Sequence, residues 1–323
     1  MQTICYPASN VSTGSYAATI GFFDGVHLGH RYLLEQLRSH ASQKGLGSMA
    51  ITFDRHPRQV LQQGWEPQFL TTFAEREELL SCTGVDVLVC VHFDTSIASM
   101  SARRFLSDVL RDRLHVRSLL MGYDNRFGCG GGGTFADCQL YGRELGVDVA
   151  LAEPLLPGGR AVSSSLLRRL LSDGDVEGAA SGLGREYAIK GMVTTGRHVG
   201  SALGFPTANL VADDPLKLIP ACGVYAVEAL VRGRSYPAMM NIGFRPTFGC
   251  REQTLEVHIF GEVGDLYGEP LCVKFVARLR DERTFPSAGA LASQLALDMQ
   301  NAKAALGSRK HASPVNDNNY QEK

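Results

Sequence analysis

Two imidazoles stand three residues apart at the end of a glycine-rich stretch, Gly21-Phe22-Phe23-Asp24-Gly25-Val26-His27-Leu28-Gly29-His30. At a helix start this spacing puts both rings on one side, near the positive end of the helix dipole. When one phosphate attacks the α-phosphate of another, negative charge grows on the equatorial oxygens. Two imidazole donors and backbone N–H groups answer that charge, and no protein nucleophile is needed. Zinc is a competing reading, but zinc helices usually carry His at i, i+4 with a Glu between, and no Glu is present here. Two surface histidines on a capped helix are the plainer alternative, which the residues alone leave open.

Three further stretches could do chemistry. Val162-Ser163-Ser164-Ser165-Leu166-Leu167-Arg168-Arg169 joins hydroxyls to a helix start with a guanidinium one turn on, an anion grip or an ordinary serine cap. Gly204-Phe205-Pro206-Thr207-Ala208-Asn209 places Thr207 and Asn209 on one face of an extended segment. Two small oxygen ligands suit Mg²⁺ held together with substrate phosphates. Glu256, in the apolar run Thr254-Leu255-Glu256-Val257-His258-Ile259, either points to solvent or accepts a substrate hydroxyl proton. There is no Walker A motif, so a kinase here needs another phosphate grip. The run Gly128 to Gly133 satisfies G-x-G-x-x-G, as nearly any glycine run does, so it offers only weak support for a dinucleotide dehydrogenase. It reads instead as a mobile loop over the site.

These residues need elements to position them. The patterning predicts a strand at Ser15–Ile20 and a helix over Arg31–Lys44 with Leu33, Leu34, Leu37 and Ala41 inward. Strands follow at Met49–Phe53, Val85–Val91, Ser118–Met121 and Val147–Ala152, with helices at Ala74–Cys82, Ser101–Arg113 and Thr134–Leu145. This alternation predicts a doubly wound parallel sheet, with Asp54-Arg55-His56-Pro57 at a strand's carboxyl end, where such sheets bind ligands. From Leu183 the pattern becomes short alternating runs, Tyr187–Thr195, Gly223–Val231, Tyr236–Ile242, Thr254–Phe260 and Leu271–Leu279. They predict a closed, Greek-key-like β-barrel, followed by one helix over Ser287–Leu306. The expected domains are residues 1–180 and 181–306, with a disordered tail over 307–323.

With 323 residues, 44% hydrophobic and 20% charged, the chain has the composition of a soluble globular protein of two domains. A net charge of −1 argues against bulk nucleic-acid or membrane-surface binding. No run is long enough for a transmembrane helix, and the N-terminus lacks a signal-peptide pattern. Eight scattered cysteines without a CxxC pair fit reduced thiols in the cytoplasm.

Taken together, these stretches resemble the bacterial bifunctional riboflavin kinase / FAD synthetase family over nearly the whole chain to about Leu306. The front half carries Gly21-x-Phe23-Asp24-Gly25-Val26-His27-Leu28-Gly29-His30, Thr52-Phe53-x-x-His56-Pro57, Gly122-x-Asp124-x-Arg126-Phe127-Gly128 and Ser163-Ser164-Ser165-x-Leu167-Arg168. The rear half carries Gly204-Phe205-Pro206-Thr207-Ala208-Asn209-Leu210, Asn241-Ile242-Gly243-x-Arg245-Pro246-Thr247-Phe248, Leu255-Glu256-Val257-His258, Leu266-Tyr267-Gly268 and Arg280-x-Glu282-x-x-Phe285. The resemblance implies ATP-dependent phosphorylation of riboflavin to FMN, then adenylyl transfer from ATP to FMN. It implies His27 and His30 at the α-phosphate and Glu256 as the kinase base. Gly21, Phe23, Asp24, Gly25, Asp124, Ser164, Ser165, Arg168, Gly204 and Pro206 would hold ATP. Thr207 and Asn209 would bind Mg²⁺, and Asn241, Arg245, Arg280 and Glu282 the flavin. The implied partners are small molecules, with no nucleic acid or membrane. Retention of one activity alone, or a non-catalytic flavin-binding role, are the alternatives. The chain departs from the family's pattern at Phe22, often Asn; at Ser165, usually Thr; at Ser201, often Arg; at Gly261, commonly acidic; and at Cys129–Gly133, which carries no cation.

Overall fold

The computed structural model describes residues 1–8, 14–62, 64, 67–123, 125–129, 133–156, 159, 161–195, 204–247 and 250–309, without the side chains of 245–252 and 309. The chain divides into two compact units, Met1–Ser164 and Ser165–Lys323.

The first unit runs β1 (Gln2–Tyr6), β2 (Tyr16–Ile20), α1 (Leu28–Gln43), β3 (Gly47–Phe53), α2 (Pro57–Leu61), α3 (Phe73–Ser81), β4 (Val87–Val91) and α4 (Thr95–Ala98). It continues with α5 (Ala102–Arg104), which passes into a π-helical turn over Phe105–Arg111, then β5 (Val116–Met121), α6 (Phe135–Leu145) and β6 (Asp148–Leu151). The strands form one parallel sheet in the order β1-β4-β3-β2-β5-β6. Every residue of β2 and β4 is buried, as expected where helices cover both faces. Leu34, Leu37 and Ala41 of α1 and Leu80 of α3 pack on one face. Phe105, Leu106, Val109 and Leu110 of the π turn and Cys138 of α6 pack on the other. From β2 the chain moves outward through β3 and β4 on one side, then returns to β5 on the other. That reversal opens a crevice at the carboxyl ends of β2 and β5.

The second unit opens with α7 (Ser164–Asp173, its first residue at the boundary) and α8 (Val176–Leu183). Then come β7 (Ala188–Thr194), β8 (Ala208–Ala212), β9 (Gly223–Val231), β10 (Arg234–Thr247), β11 (Cys250–Ile259), β12 (Pro270–Arg280) and α9 (Ala288–Arg309). The six strands close into a barrel in the order β10-β11-β8-β7-β12-β9. Ala226, Met239, Val276 and Ala302 bury against Leu295, Met299 and Leu306, so α9 covers one side of the barrel wall.

The expected alternation of elements is present, with boundaries shifted by a few residues. Pattern reading missed β1, α2, α4 and α8 and took β8 only as an extended segment. Each is eight residues or fewer, too short for periodicity to stand out. The helix expected to end at Leu306 continues to Arg309, and the rest of the expected tail lies outside the described residues.

One buried ion pair fastens α9 to the barrel. Arg280 Nε lies 3.0 Å from both Asp298 oxygens, and Nη2 lies 2.7 Å from Oδ2. Gln294 Nε2 donates to the same carboxylate at 2.8 Å, and Asp298 is 1% exposed. Removing one partner strands the other charge in a dry site. Asp298→Ala is expected to destabilise the protein by about 3–5 kcal/mol in urea denaturation. A loss under about 1 kcal/mol, the value of an exposed pair, would remove this role.

Candidate functional site

The stretch after β2 is a strained turn held from below. Phe23, Gly25 and Val26 all have positive φ, at 56°, 81° and 37°. Each such non-glycine residue costs on the order of 1–3 kcal/mol and persists only where its surroundings enforce it. Asp24 does the enforcing. Its Oδ2 accepts from Leu70 N at 3.1 Å, and its Oδ1 from Thr71 N at 3.0 Å and Thr71 Oγ1 at 3.2 Å. Gly25 N donates to Thr71 Oγ1 at 3.0 Å. Hydrogen bonds to a charged group contribute about 1.5–3 kcal/mol each, enough together to offset the strain. Asp24 therefore shapes the turn with both oxygens engaged. Gly21 is required because a Cβ there would lie 2.9 Å from the ring of Phe23.

The turn delivers His27 to the N-cap of α1. Its Nδ1 accepts from His30 N at 3.3 Å, which places the neutral ring's proton on Nε2. The two rings stack with centroids 3.6 Å apart. His30 Nδ1 is buried without a hydrogen-bond partner. Gly29 lets the helix start approach the Val162 carbonyl; a Cβ would lie 3.3 Å from it. Ser164 Oγ donates to Asp24 O at 2.9 Å, so the first of the expected anion-gripping hydroxyls is tied to the turn. Ser165 and Arg168 follow within α7.

Across the crevice, Asn125 Nδ2 donates to Ile20 O at 2.5 Å, at the end of β2. Asp124 lies outside the described residues, as do 130–132 of the glycine run. The ends of that run are anchored: Phe127 bridges Gly133, and Cys129 N donates to Met100 O at 2.8 Å.

Four residues here meet only in the folded chain, and two of them, Phe69 and Arg76, did not figure in the sequence reading. Phe22, His56 and Phe69 form an aromatic cluster, with Phe22 4.8 Å from His56 and 5.3 Å from Phe69. Over Phe22, at 4.1 Å, lies the guanidinium of Arg76. These residues come from the ends of β2 and β3, the loop before α3, and α3 itself. No sequence spacing joins them. His56, expected at the carboxyl end of a strand, caps α2 there, accepting from Arg58 N at 3.2 Å.

In the barrel, strand register assembles the second site. Asn241 of β10 pairs with Glu256 of β11, which pairs with Asn209 of β8. Paired residues share a face. Their neighbours Ile242, Val257 and Leu210 are buried inside the barrel, so the polar row lies on its outer wall. Met239, two residues from Asn241 on that face, is covered by α9. Glu282 reaches this wall as well: a Cβ on Gly243 would overlap its Oε1 and lie 3.3 Å from Asn241 Nδ2. Arg245 lies in β10 opposite Glu252, with its side chain outside the described part. Arg280 is engaged with Asp298 beneath α9.

His258, quoted in a motif but given no role, orients the loop before β8. It is 8% exposed, and its Nδ1 lies 2.7 Å from Pro206 O. A carbonyl only accepts, so Nδ1 carries the proton. Phe205 and Phe260 flank the ring at 5.4 and 5.7 Å. Gly204, at φ 80°, makes the turn that brings Pro206 and Thr207 to this point. Among the described residues no group of three His, Cys, Asp or Glu could hold a metal alone. The neutral oxygens of Thr207 and Asn209, beside the Glu256 strand, form a donor set that suits a hard cation sharing its ligands with phosphates.

Known proteins resemble this chain over nearly its whole length. The FAD synthetase family model matches residues 10–166, and the riboflavin kinase family model matches residues 183–306. A bifunctional riboflavin kinase/FMN adenylyltransferase of Escherichia coli K12 is 39% identical over 91% of this chain and 94% of its own. One from Pseudomonas fluorescens is 36% identical over 91% and 94%. A crystal structure described as a macrolide-efflux protein of Streptococcus pneumoniae is 30% identical, covers 94% of this chain and 99% of its own, and superposes with a TM-score of 0.86. No helix of the described residues is long and apolar enough to cross a membrane. With a strained turn at the head of a helix in one unit, a polar row on a closed barrel in the other, both family models in that order and relatives at 39% and 36% identity, the chain belongs to the bifunctional riboflavin kinase / FAD synthetase family.

Proposed function

We propose that residues 1–180 transfer AMP from ATP to FMN, giving FAD and pyrophosphate, and that residues 181–306 transfer the γ-phosphate of ATP to riboflavin, giving FMN and ADP. The stacked His27–His30 pair at the head of α1 carries the first assignment. The FMN phosphate is already anionic, so the attack needs positioning and charge stabilisation rather than a base. His27 Nε2–H and the first N–H groups of α1 meet the charge on the α-phosphate as pyrophosphate leaves. Gly21, Phe23, Asp24 and Gly25 shape the turn. Ser164, Ser165 and Arg168 hold the triphosphate, with Asp124 near the adenosine or metal.

In the barrel, Glu256 takes the proton of the terminal ribityl hydroxyl as that oxygen attacks the γ-phosphorus. Asn241, Arg245 and Glu282 hold the flavin, and Arg280 acts with them from beneath α9. Gly204 and Pro206 form the ATP loop. Thr207 and Asn209 would hold Mg²⁺, which would supply neutralising charge to the phosphates. We place both reactions in the cytoplasm, where ATP and reduced thiols coexist.

His27→Ala is expected to slow FAD formation by about 100-fold or more, the scale for losing one preorganised donor, and to leave FMN formation unchanged. Glu256→Gln should lower FMN formation by about 10²–10⁴-fold while FAD still forms from added FMN. Chromatography of both products over time reads each step, and parallel loss of both in either variant would sink the two-site assignment.

A pH signature follows from His30. Burial first, then the neighbouring His27 and Arg76, hold its pKa well below the usual 6.5. The unfolded chain therefore takes up this proton at higher pH than the folded one. The stability from keeping His30 neutral is complete above about pH 6.5 and is lost as the pH falls toward the folded pKa. Thermal melts from pH 7.5 to 5 should fall more steeply for wild type than for His30→Gln; parallel curves would contradict the depressed pKa.

A further inference from the structure

Arg76 is a buried cation with no ion-pair partner among the described residues. It is 2% exposed, among the most buried large side chains of the protein. Its Nη2 donates to Phe53 O at 2.8 Å, and its guanidinium lies 4.1 Å from the Phe22 ring and 5.3 Å from that of Phe73. Its Nε is buried without a hydrogen-bond partner. Among the described residues no carboxylate forms an ion pair with it. Asp24 and Asp54 attract it only from farther away. Their oxygens are taken up by the backbone N–H groups of Leu70, Thr71 and Phe93 and by the His92 ring, whose Nδ1 lies 2.6 Å from Asp54 Oδ2. A buried charge is normally paired, because it has lost its water.

The space beside it is the adenylyl-transfer turn. Phe22 and Phe23 are adjacent in that turn; Phe22 contacts Arg76, and Phe23 lies edge-on to His30 at 5.3 Å. His30 Nδ1 is the other buried, unpartnered nitrogen of this region. Burial first, then His27 and then Arg76 hold the His30 pKa down. Burial lowers the pKa of Arg76 itself to about 10, which leaves it protonated at neutral pH.

We infer that Arg76 is a substrate-binding cation of the adenylyl-transfer site, whose missing counter-ion is a phosphate group of the bound nucleotide or of FMN. A guanidinium stacked on a ring is fixed in orientation and can present its edge to a phosphate oxygen without reorganising. The inference rests on reading the His27–His30 turn as the adenylyl-transfer site. The competing role is a brace, in which Arg76 only ties α3 to Phe53 and Phe22.

Arg76→Met, Arg76→Lys and His27→Ala in the full chain separate these roles. Removing an unpaired buried charge with its volume kept should leave the unliganded Arg76→Met protein melting no lower than wild type. The same variant should lose the melting-temperature rise that inorganic pyrophosphate gives wild type. It should form FAD about 100-fold more slowly, with FMN formation intact. Arg76→Lys should recover part of the rate. With ATP and FMN varied separately, a raised KM for ATP assigns the nucleotide phosphate, a raised KM for FMN the flavin phosphate, and a fall in kcat alone the transition state; each supports the inference. An Arg76→Met protein that melts several degrees lower, yet keeps its pyrophosphate response and its FAD-forming rate per folded molecule, would overturn it in favour of the brace. If His27→Ala loses FAD formation and Arg76→Met does not, Arg76 alone is overturned. If Arg76→Met loses it and His27→Ala does not, the imidazole assignment falls and Arg76 stands.

Discussion

The hydrogen bonds of the Asp24 carboxylate to Leu70 and Thr71 fix the shape of the first unit's turn. They hold Phe23, Gly25 and Val26 in left-handed backbone, and that conformation turns the chain sharply enough to present His27 as the cap of α1. Without this anchor the turn would relax toward ordinary loop geometry, and the stacked imidazoles would lose both spacing and orientation. Strain stored at one point thus gives preorganisation at the next, which is what a reaction without a protein nucleophile depends on.

The barrel solves a similar problem by register instead of strain. Antiparallel pairing puts Asn241, Glu256 and Asn209 in one row on the outer wall, from strands far apart in sequence. His258 then fixes the loop carrying Thr207 by a single bond to the Pro206 carbonyl. The Arg280–Asp298 pair seats α9 over the neighbouring wall. Two small rigid contacts therefore frame a polar row that is itself part of the sheet.

The two units also differ in how they treat charge. The barrel pairs its buried arginine with a carboxylate of near-ideal geometry. The parallel-sheet unit keeps Arg76 buried with one carbonyl and two aromatic rings for company. A pair serves stability and position, whereas a buried cation with no ion-pair partner among the described residues is suited to an incoming anion.

Much of this was legible in the residues. Strand–helix alternation announced the parallel sheet, and the switch to short alternating runs announced the barrel, because period and run length depend only on local order. His27, His30, Thr207, Asn209 and Glu256 stood out because each lies in a compact motif. What only the tertiary structure decided were relations between distant segments: Asp24 with Leu70 and Thr71, Phe22 with Phe69 and Arg76, His258 with Pro206, and Glu282 over Gly243. An arginine in the helical run Phe73–Ser81 looks like an ordinary surface charge until the fold buries it. Sequence records a residue's type and local spacing, whereas burial and partners are set by which faces the fold brings together.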